Sequence, residues 1–337
     1  MSTSVHSKLA ATLVAIGLTA CGPAEHEASA VVGSERTCAA ADFRVEAEGV
    51  LPETYTVAGE LCGNDLANLG TLLITAHGAT YNRLYWNWPQ DPETYSFVHN
   101  QNVSVLNLDL LGSGASSHPL SALITQQSEA FVMHQVVQAM RTQGFKNIIL
   151  IGHSSGSGMI TLEASTYHDV DGLIVTGFLH RLPVGALAVP LAMYPAALDP
   201  AFAGMNLDAG YLTTRPGQRS NPGFYYEPTV DPKVIAYDDA HKDVVTMIYA
   251  AEFPLIIYDP SISQAVNVPV LSLVGQYDTF CESADCPTAA DEAAAWSPSA
   301  QLELHVIPNA GHDIHLHATA AETEYAYVRE WLDRRFK

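Results

Sequence analysis

Three residues in this 337-residue chain, Ser154, Asp278 and His312, have the types and settings that nucleophilic catalysis requires. A serine hydroxyl is a poor nucleophile until a base within hydrogen-bond reach takes its proton, and that base needs a third group to fix its tautomer. Each of the three comes just after an apolar run that reads as a buried parallel strand, so one sheet would carry them to a common edge. Taken alone, His312 reads equally well as a hydrogen-bonded core imidazole and Asp278 as a helix cap. Coincidence explains the ordered set of three far less easily.

Ser154 has the most informative surroundings. Residues 147–151, Asn-Ile-Ile-Leu-Ile, form an apolar β-branched strand that breaks at Gly152-His153-Ser154-Ser155-Gly156, and residues 159–164 then read as a helix. So tight a strand-to-helix turn forces its middle residue towards positive φ, while the flanking glycines let the backbones pass closely. The serine hydroxyl would project above the strand end, beside the positive end of the helix. The alternative is a glycine-rich loop that happens to hold a serine, but it leaves the strand before and the helix after unexplained.

A second turn, His77-Gly78-Ala79-Thr80, follows an apolar strand at 71–76, and its glycine lets the Ala79 N–H face a bound oxyanion. The aromatic stretch that follows includes Tyr81 and Trp86, and either lines a substrate pocket or covers the core. Gly311 lets its loop turn the His312 imidazole back towards the serine, which favours His312 over His315 as the base. His312, His315 and His317 alternate as metal ligands can, yet no matching ligand group is evident elsewhere, and no metal is expected.

The elements that must hold these residues alternate between strand and helix. Residues 43–50 and 54–61 suggest an antiparallel pair turning at Leu51-Pro52-Glu53. Further strands are expected at 71–76, 103–109, 147–151, 172–176, 268–275 and 302–307. Helices are expected at 124–143, with Phe131, Val132, Val136, Val137 and Met140 on the buried face, and at 318–335. This rhythm predicts an α/β fold with a mostly parallel, doubly wound sheet. Gly112-Ser113-Gly114 lacks the third glycine of a dinucleotide fingerprint, so no such cofactor is expected. Residues 178–267 lose the rhythm and are rich in Pro, Gly, Met and aromatics, Tyr211 among them; they read as a lid insertion with helices of its own. A helical extension packed elsewhere is the alternative. The core would then comprise 43–177 and 268–337.

Composition narrows the function classes. With 15 Lys+Arg against 36 Asp+Glu and a net charge of −21, no basic surface is present to neutralise nucleic acid phosphates. Residues 1–20 read as a signal peptide, whose apolar run is too short to span a bilayer. Leu18-Thr19-Ala20-Cys21 resembles the lipobox of bacterial lipoproteins, which would make Cys21 a lipidated first residue. A plain secretory signal, cut near Ala20 or near Ala28-Ser29-Ala30, is the alternative. Either way the chain is expected to be exported, touching membrane only through that anchor, with 21–42 as a flexible tether. In an oxidising compartment Cys281 would pair with Cys286 and Cys38 with Cys62, unless they are free buried thiols.

From about Phe43 to the end the chain resembles the α/β-hydrolase superfamily. The matching residues are His77-Gly78-Ala79, Gly152-His153-Ser154-Ser155-Gly156, Gly275-Gln276-Tyr277-Asp278 and Gly311-His312-Asp313. Residues 109–116 look like that superfamily's D-R-x-G-x-G-x-S turn but carry Leu110 where arginine is usual, which puts a structural ion pair in doubt. Tyr211 to Gly217, with His241-Lys242-Asp243, is similar to secreted fungal and actinobacterial hydrolases of unassigned substrate. The resemblance implies that Ser154 attacks a carbonyl, His312 shuttles its proton, Asp278 orients His312, and the Ala79 and Ser155 N–H groups hold the oxyanion, with no cofactor. An apolar ester or lactone is the expected substrate, with Tyr81, Trp86 and Tyr211 contacting it. Amidase, thioesterase and other reactions share the fold, and a non-catalytic surface lipoprotein is a reading of a different class.

Overall fold

The computed structural model describes residues 36–47, 53–182, 186, 188–220, 223–279, 281 and 289–337. The expected signal peptide, the Cys21 lipidation site and Cys286 lie outside them. An eight-stranded sheet forms the centre, here numbered β1 (Thr37–Ala40), β2 (Gly59–Gly63), β3 (Thr71–Ala76), β4 (Ser104–Leu108), β5 (Asn147–His153), β6 (Gly172–Thr176), β7 (Val270–Gly275) and β8 (Glu303–Ile307). Its spatial order is β1-β2-β4-β3-β5-β6-β7-β8. The β1–β2 and β2–β4 pairings are antiparallel and the rest are parallel.

Helices of ten or more residues are α1 (Gln126–Gln143), α2 (Ser155–Tyr167), α3 (Pro232–His241), α4 (Met247–Tyr258) and α5 (Ala318–Phe336). The apolar strand runs follow from burial on both faces. Along β5, Ile148 and Leu150 join one buried cluster with residues of α1 and α2, while Ile149 and Ile151 join a second cluster with α5. This alternation is the two-residue period of a strand sandwiched between helical layers.

Three local readings need correction. The tether ends earlier than expected, because Thr37–Ala40 is the edge strand β1, paired with β2 so that Cys38 faces Cys62. Those two cysteines are joined in a disulfide. The single strand read at 54–61 is two: Thr54–Val57 pairs with Phe43–Glu46 in a small separate sheet, and β2 begins at Gly59. The switch occurs at Ala58, whose N–H donates to Ser116 Oγ and whose carbonyl accepts from Asp109 N–H, both at 2.9 Å. On α1, Phe131 is half-buried, and Ala130 and Met133 complete the packed face instead.

Residues 178–267 carry α3, α4, shorter helices at Ala188–Ala192 and Pro260–Ala265, and a three-stranded antiparallel sheet of Met193–Pro195, Tyr211–Thr214 and Val245–Thr246. Helices are what the length of this stretch leads us to expect; the small sheet is not.

Candidate active site

The turn after β5 places Ser154 at φ 52° and ψ −120°, a strained conformation for a residue with a side chain. The strain is held by local bonds: Ser154 N–H donates to Thr176 O at 2.8 Å, and Ser154 O accepts from Ser157 N–H at 2.9 Å. Only glycine fits at 156, where a Cβ would stand 2.5 Å from His77 O and 2.6 Å from Ala76 O. The close passage anticipated from the G-x-S-x-G spacing is therefore a contact between the start of α2 and the end of β3.

Asp278 and His312 stand on the loops after β7 and β8. These loops are fastened to each other, with Gln276 N–H donating to Ile307 O at 2.9 Å and Tyr277 N–H to Ala310 O at 2.8 Å. His312 Nδ1 lies 2.9 and 3.0 Å from the two oxygens of the fully buried Asp278 carboxylate. Burial works against the His312 imidazolium, but the Asp278 carboxylate outweighs it and the pKa sits above the ordinary imidazole value.

Ser154 and His312 open onto one cavity of about 330 Å³, together with Gly78, Ala79 and Ser155. Most of its remaining wall is apolar and comes from the insertion, including Val189, Met193, Leu212, Met247, Phe253 and Pro254. Among the described residues, neither the Ala79 nor the Ser155 N–H donates to a backbone carbonyl.

Of the three expected substrate contacts only Tyr81 lines this cavity. Trp86 is a correction: it is fully buried, packed edge-on against Phe97 and stacked over His315. Tyr211 is another, since its hydroxyl donates to Pro119 O at 2.6 Å and its ring borders a separate small cavity beside Glu129. His315 Nε2 lies 2.9 Å from Tyr85 O and its Nδ1 3.2 Å from Glu324, so it faces away from Ser154 into the core. His317 donates from Nδ1 to Asp313 O, while its Nε2 accepts from Tyr226 and Gly311 N–H. Cys281 is disulfide-bonded, and its expected partner lies outside the described residues.

Leu110 leaves the acid before it without an arginine neighbour in sequence, and Arg83 takes that place at 3.5 Å from Asp109. Arg83 N–H and Ala115 N–H also donate to the same carboxylate, holding the turn closed.

Sequence reasoning missed a buried polar network behind His312. His153 Nε2 lies 3.0 Å from Asp313 Oδ1, and Tyr81 Oη donates to Asp313 Oδ2 at 2.6 Å. Tyr81 Oη also lies 3.1 Å from Asp238 Oδ2, and Arg219 donates to Asp238 in a two-pronged pair at 2.7 and 2.8 Å. Arg219 is fully buried, with its guanidinium 4.1 Å from the Tyr81 ring centre. His153 and Asp313 adjoin the recognised motifs and were open to notice. Arg219 and Asp238 lie in the insertion, where no periodicity marks them.

A sequence profile of the alpha/beta hydrolase family matches residues 73–323. With the strand order and the turn at Ser154, this establishes that the chain belongs to that family. Its fold is shared with a thermophilic esterase from Thermogutta terrifontis, at 18% identity and TM-score 0.56, over 88% of this chain and 100% of that one. It is also similar to a monoglyceride lipase from Saccharomyces cerevisiae, at 16% identity and TM-score 0.59, over 87% and 98% of the two chains. A monoacylglycerol lipase from Paleococcus ferrophilus matches at 14% identity and TM-score 0.53, over 89% and 99%. No curated protein sequence matches it.

Proposed function

We propose that this protein is a serine hydrolase that cleaves an apolar carboxylic ester or lactone through an acyl-enzyme. The observation that carries the reading is the shared cavity: Ser154, His312 and the Ala79 and Ser155 main chain all border one apolar chamber, while Asp278 holds His312 from behind.

In this reading His312 Nε2 takes the Ser154 proton as Oγ attacks the carbonyl, and the proton then passes to the leaving alkoxide. Asp278 fixes the tautomer by accepting from Nδ1–H and stabilises the imidazolium that forms. The Ala79 and Ser155 N–H groups receive the oxyanion, each worth roughly 3 kcal/mol in the transition state by analogy with other serine hydrolases. Water attacks the acyl-enzyme by the same route in reverse, and no cofactor enters. The apolar wall contributed by the insertion supports an apolar acyl or alcohol group. The three fold relatives, named as an esterase and two lipases, support ester hydrolysis in particular.

An exported, lipid-anchored location belongs to the same proposal. It rests on the N-terminal sequence and on the Cys38–Cys62 disulfide, which suits an oxidising compartment. No described helix is long and apolar enough to cross a membrane. Hydrolysis of p-nitrophenyl esters from acetate to palmitate tests the substrate class. Activity peaking at one acyl length supports the ester reading, and silence across the series beside turnover of amides overturns it.

A further inference from the structure

Away from the cavity, α1, α2 and the loop that follows α2 bring three ligand-type side chains together. His134, Glu163 and Asp169 each offer one ligand atom, and these atoms lie within 4.8 Å of one another. Glu163 is fully buried, and neither of its carboxylate oxygens has a hydrogen-bond donor among the described residues. Asp169 Oδ1 is also buried without a donor. Its Oδ2 accepts from Gln138 Nε2 at 2.5 Å, and His134 Nδ1 stands 2.7 Å from that same oxygen. Arg141 reaches the Asp169 carbonyl at 3.0 Å, but its charge is paired with Asp171 at 2.5 Å.

A fully buried Glu163 carboxylate without a donor, set beside the Asp169 carboxylate, requires positive charge, because a buried anion left uncompensated is costly. A proton or a metal ion meets that need. The third member of the group favours a metal: His134 Nδ1, 2.7 Å from Asp169 and within 4.8 Å of a Glu163 oxygen, becomes a neutral nitrogen ligand once its proton moves to Nε2, and a proton shared by the two acids makes no use of it.

We propose that His134, Glu163 and Asp169 bind a divalent transition metal of the zinc type. One nitrogen and two carboxylate oxygens suit zinc better than calcium or magnesium, which favour oxygen sets. Two carboxylates and a dication sum to zero charge. Zinc ligands sit at about 2.0–2.2 Å from the ion, so closing the group takes side-chain rotations on the order of an ångström. The His134 side chain is 26% exposed, which provides an entry path and room for a water in the fourth position. Gln138 orients Asp169, and the Tyr167 ring stacks on His134 with centroids 4.1 Å apart, as outer partners do at metal sites. Such an ion would tie α1 to α2, the helix that begins beside Ser154, and would brace the turn without touching substrate. The other group of this kind, Cys38 with Glu60 and Cys62, has its sulfurs joined in the disulfide.

The test is calorimetric titration of the chelator-treated full chain with Zn²⁺ at neutral pH, with thermal unfolding followed in parallel. The expected result is one ion per chain and a raised Tm. Glu163→Gln and His134→Phe should each weaken zinc binding by at least about 100-fold, the upper range for losing even an outer partner. His134→Phe preserves a ring against Tyr167 and removes only the nitrogens, so it remains informative if Glu163→Gln does not fold. His241→Ala, at an exposed histidine, should bind as wild type does. No zinc uptake by the wild type, or unchanged affinity in His134→Phe, overturns the proposal. Higher stability of Glu163→Gln with no zinc effect on either form also overturns it, and assigns a shared proton instead.

Discussion

Asp313 Oδ1 stands 3.0 Å from His153 Nε2, both side chains fully buried. Thr176 Oγ1 donates to Gly152 O at 3.1 Å and so accepts from His153 Nδ1, which makes Nδ1 the protonated nitrogen of a neutral ring. Burial holds the His153 pKa well below, and that of Asp313 above, their ordinary values. We predict that the proton between them lies on Asp313, which would make it a neutral acid behind His312. Asn at 313 reproduces that acid, donating to His153 and accepting from Tyr81. Asp313→Asn should melt close to wild type, whereas Asp313→Ala strands both partners and should cost about 1–3 kcal/mol. Thermal unfolding of the two variants checks the contrast.

In the proposed mechanism His312 serves as a base, and it can do so only when neutral. Burial alone would depress its pKa, and the Asp278 carboxylate more than offsets that. The acid limb of kcat/KM should therefore be centred above the ordinary imidazole value of about 6.5. Asp278→Asn removes the raising charge and leaves burial, so the limb should move to lower pH while kcat falls by about 10⁴-fold. A pH–rate profile of both forms checks the direction.

Gly177 adopts φ +57°, and a Cβ there would lie 2.8 Å from His312 Cε1 and 3.0 Å from His153 Cε1. Gly177→Ala should push His312 from its place. About 100-fold in kcat/KM is expected for a displacement near 1 Å. Circular dichroism beside the kinetics separates this loss from unfolding.

Glu129 is buried, and burial pushes its pKa from 4.5 up to about 8. The folded chain then keeps a proton that the unfolded chain releases between those values. Stability falls by about 1.4 kcal/mol per pH unit as pH rises through that window. Glu129→Gln carries no such proton, so its stability advantage over wild type should grow from pH 5 to pH 8 in urea unfolding. A constant difference would contradict the assignment.

What the sequence made legible follows from local rules. Apolar β-branched runs marked β3 to β8, and the G-x-S-x-G spacing forecast positive φ at Ser154, because each depends on residues adjacent in the chain. Thr37–Ala40 escaped notice since a four-residue edge strand held by one cross-link has no period to detect. Trp86 and Tyr211 were misplaced because an aromatic ring serves a core and a pocket equally well, and only packing decides which. The Arg219–Asp238 pair depends on how the insertion returns over the sheet, which no local pattern encodes.

Labelling with a fluorophosphonate probe, followed by peptide mapping, tests the nucleophile most directly. Wild type should carry the phosphonyl group on Ser154, and Ser154→Ala, folded as judged by circular dichroism, should remain unlabelled. Equal labelling of the two forms, or modification at another residue, would contradict the account.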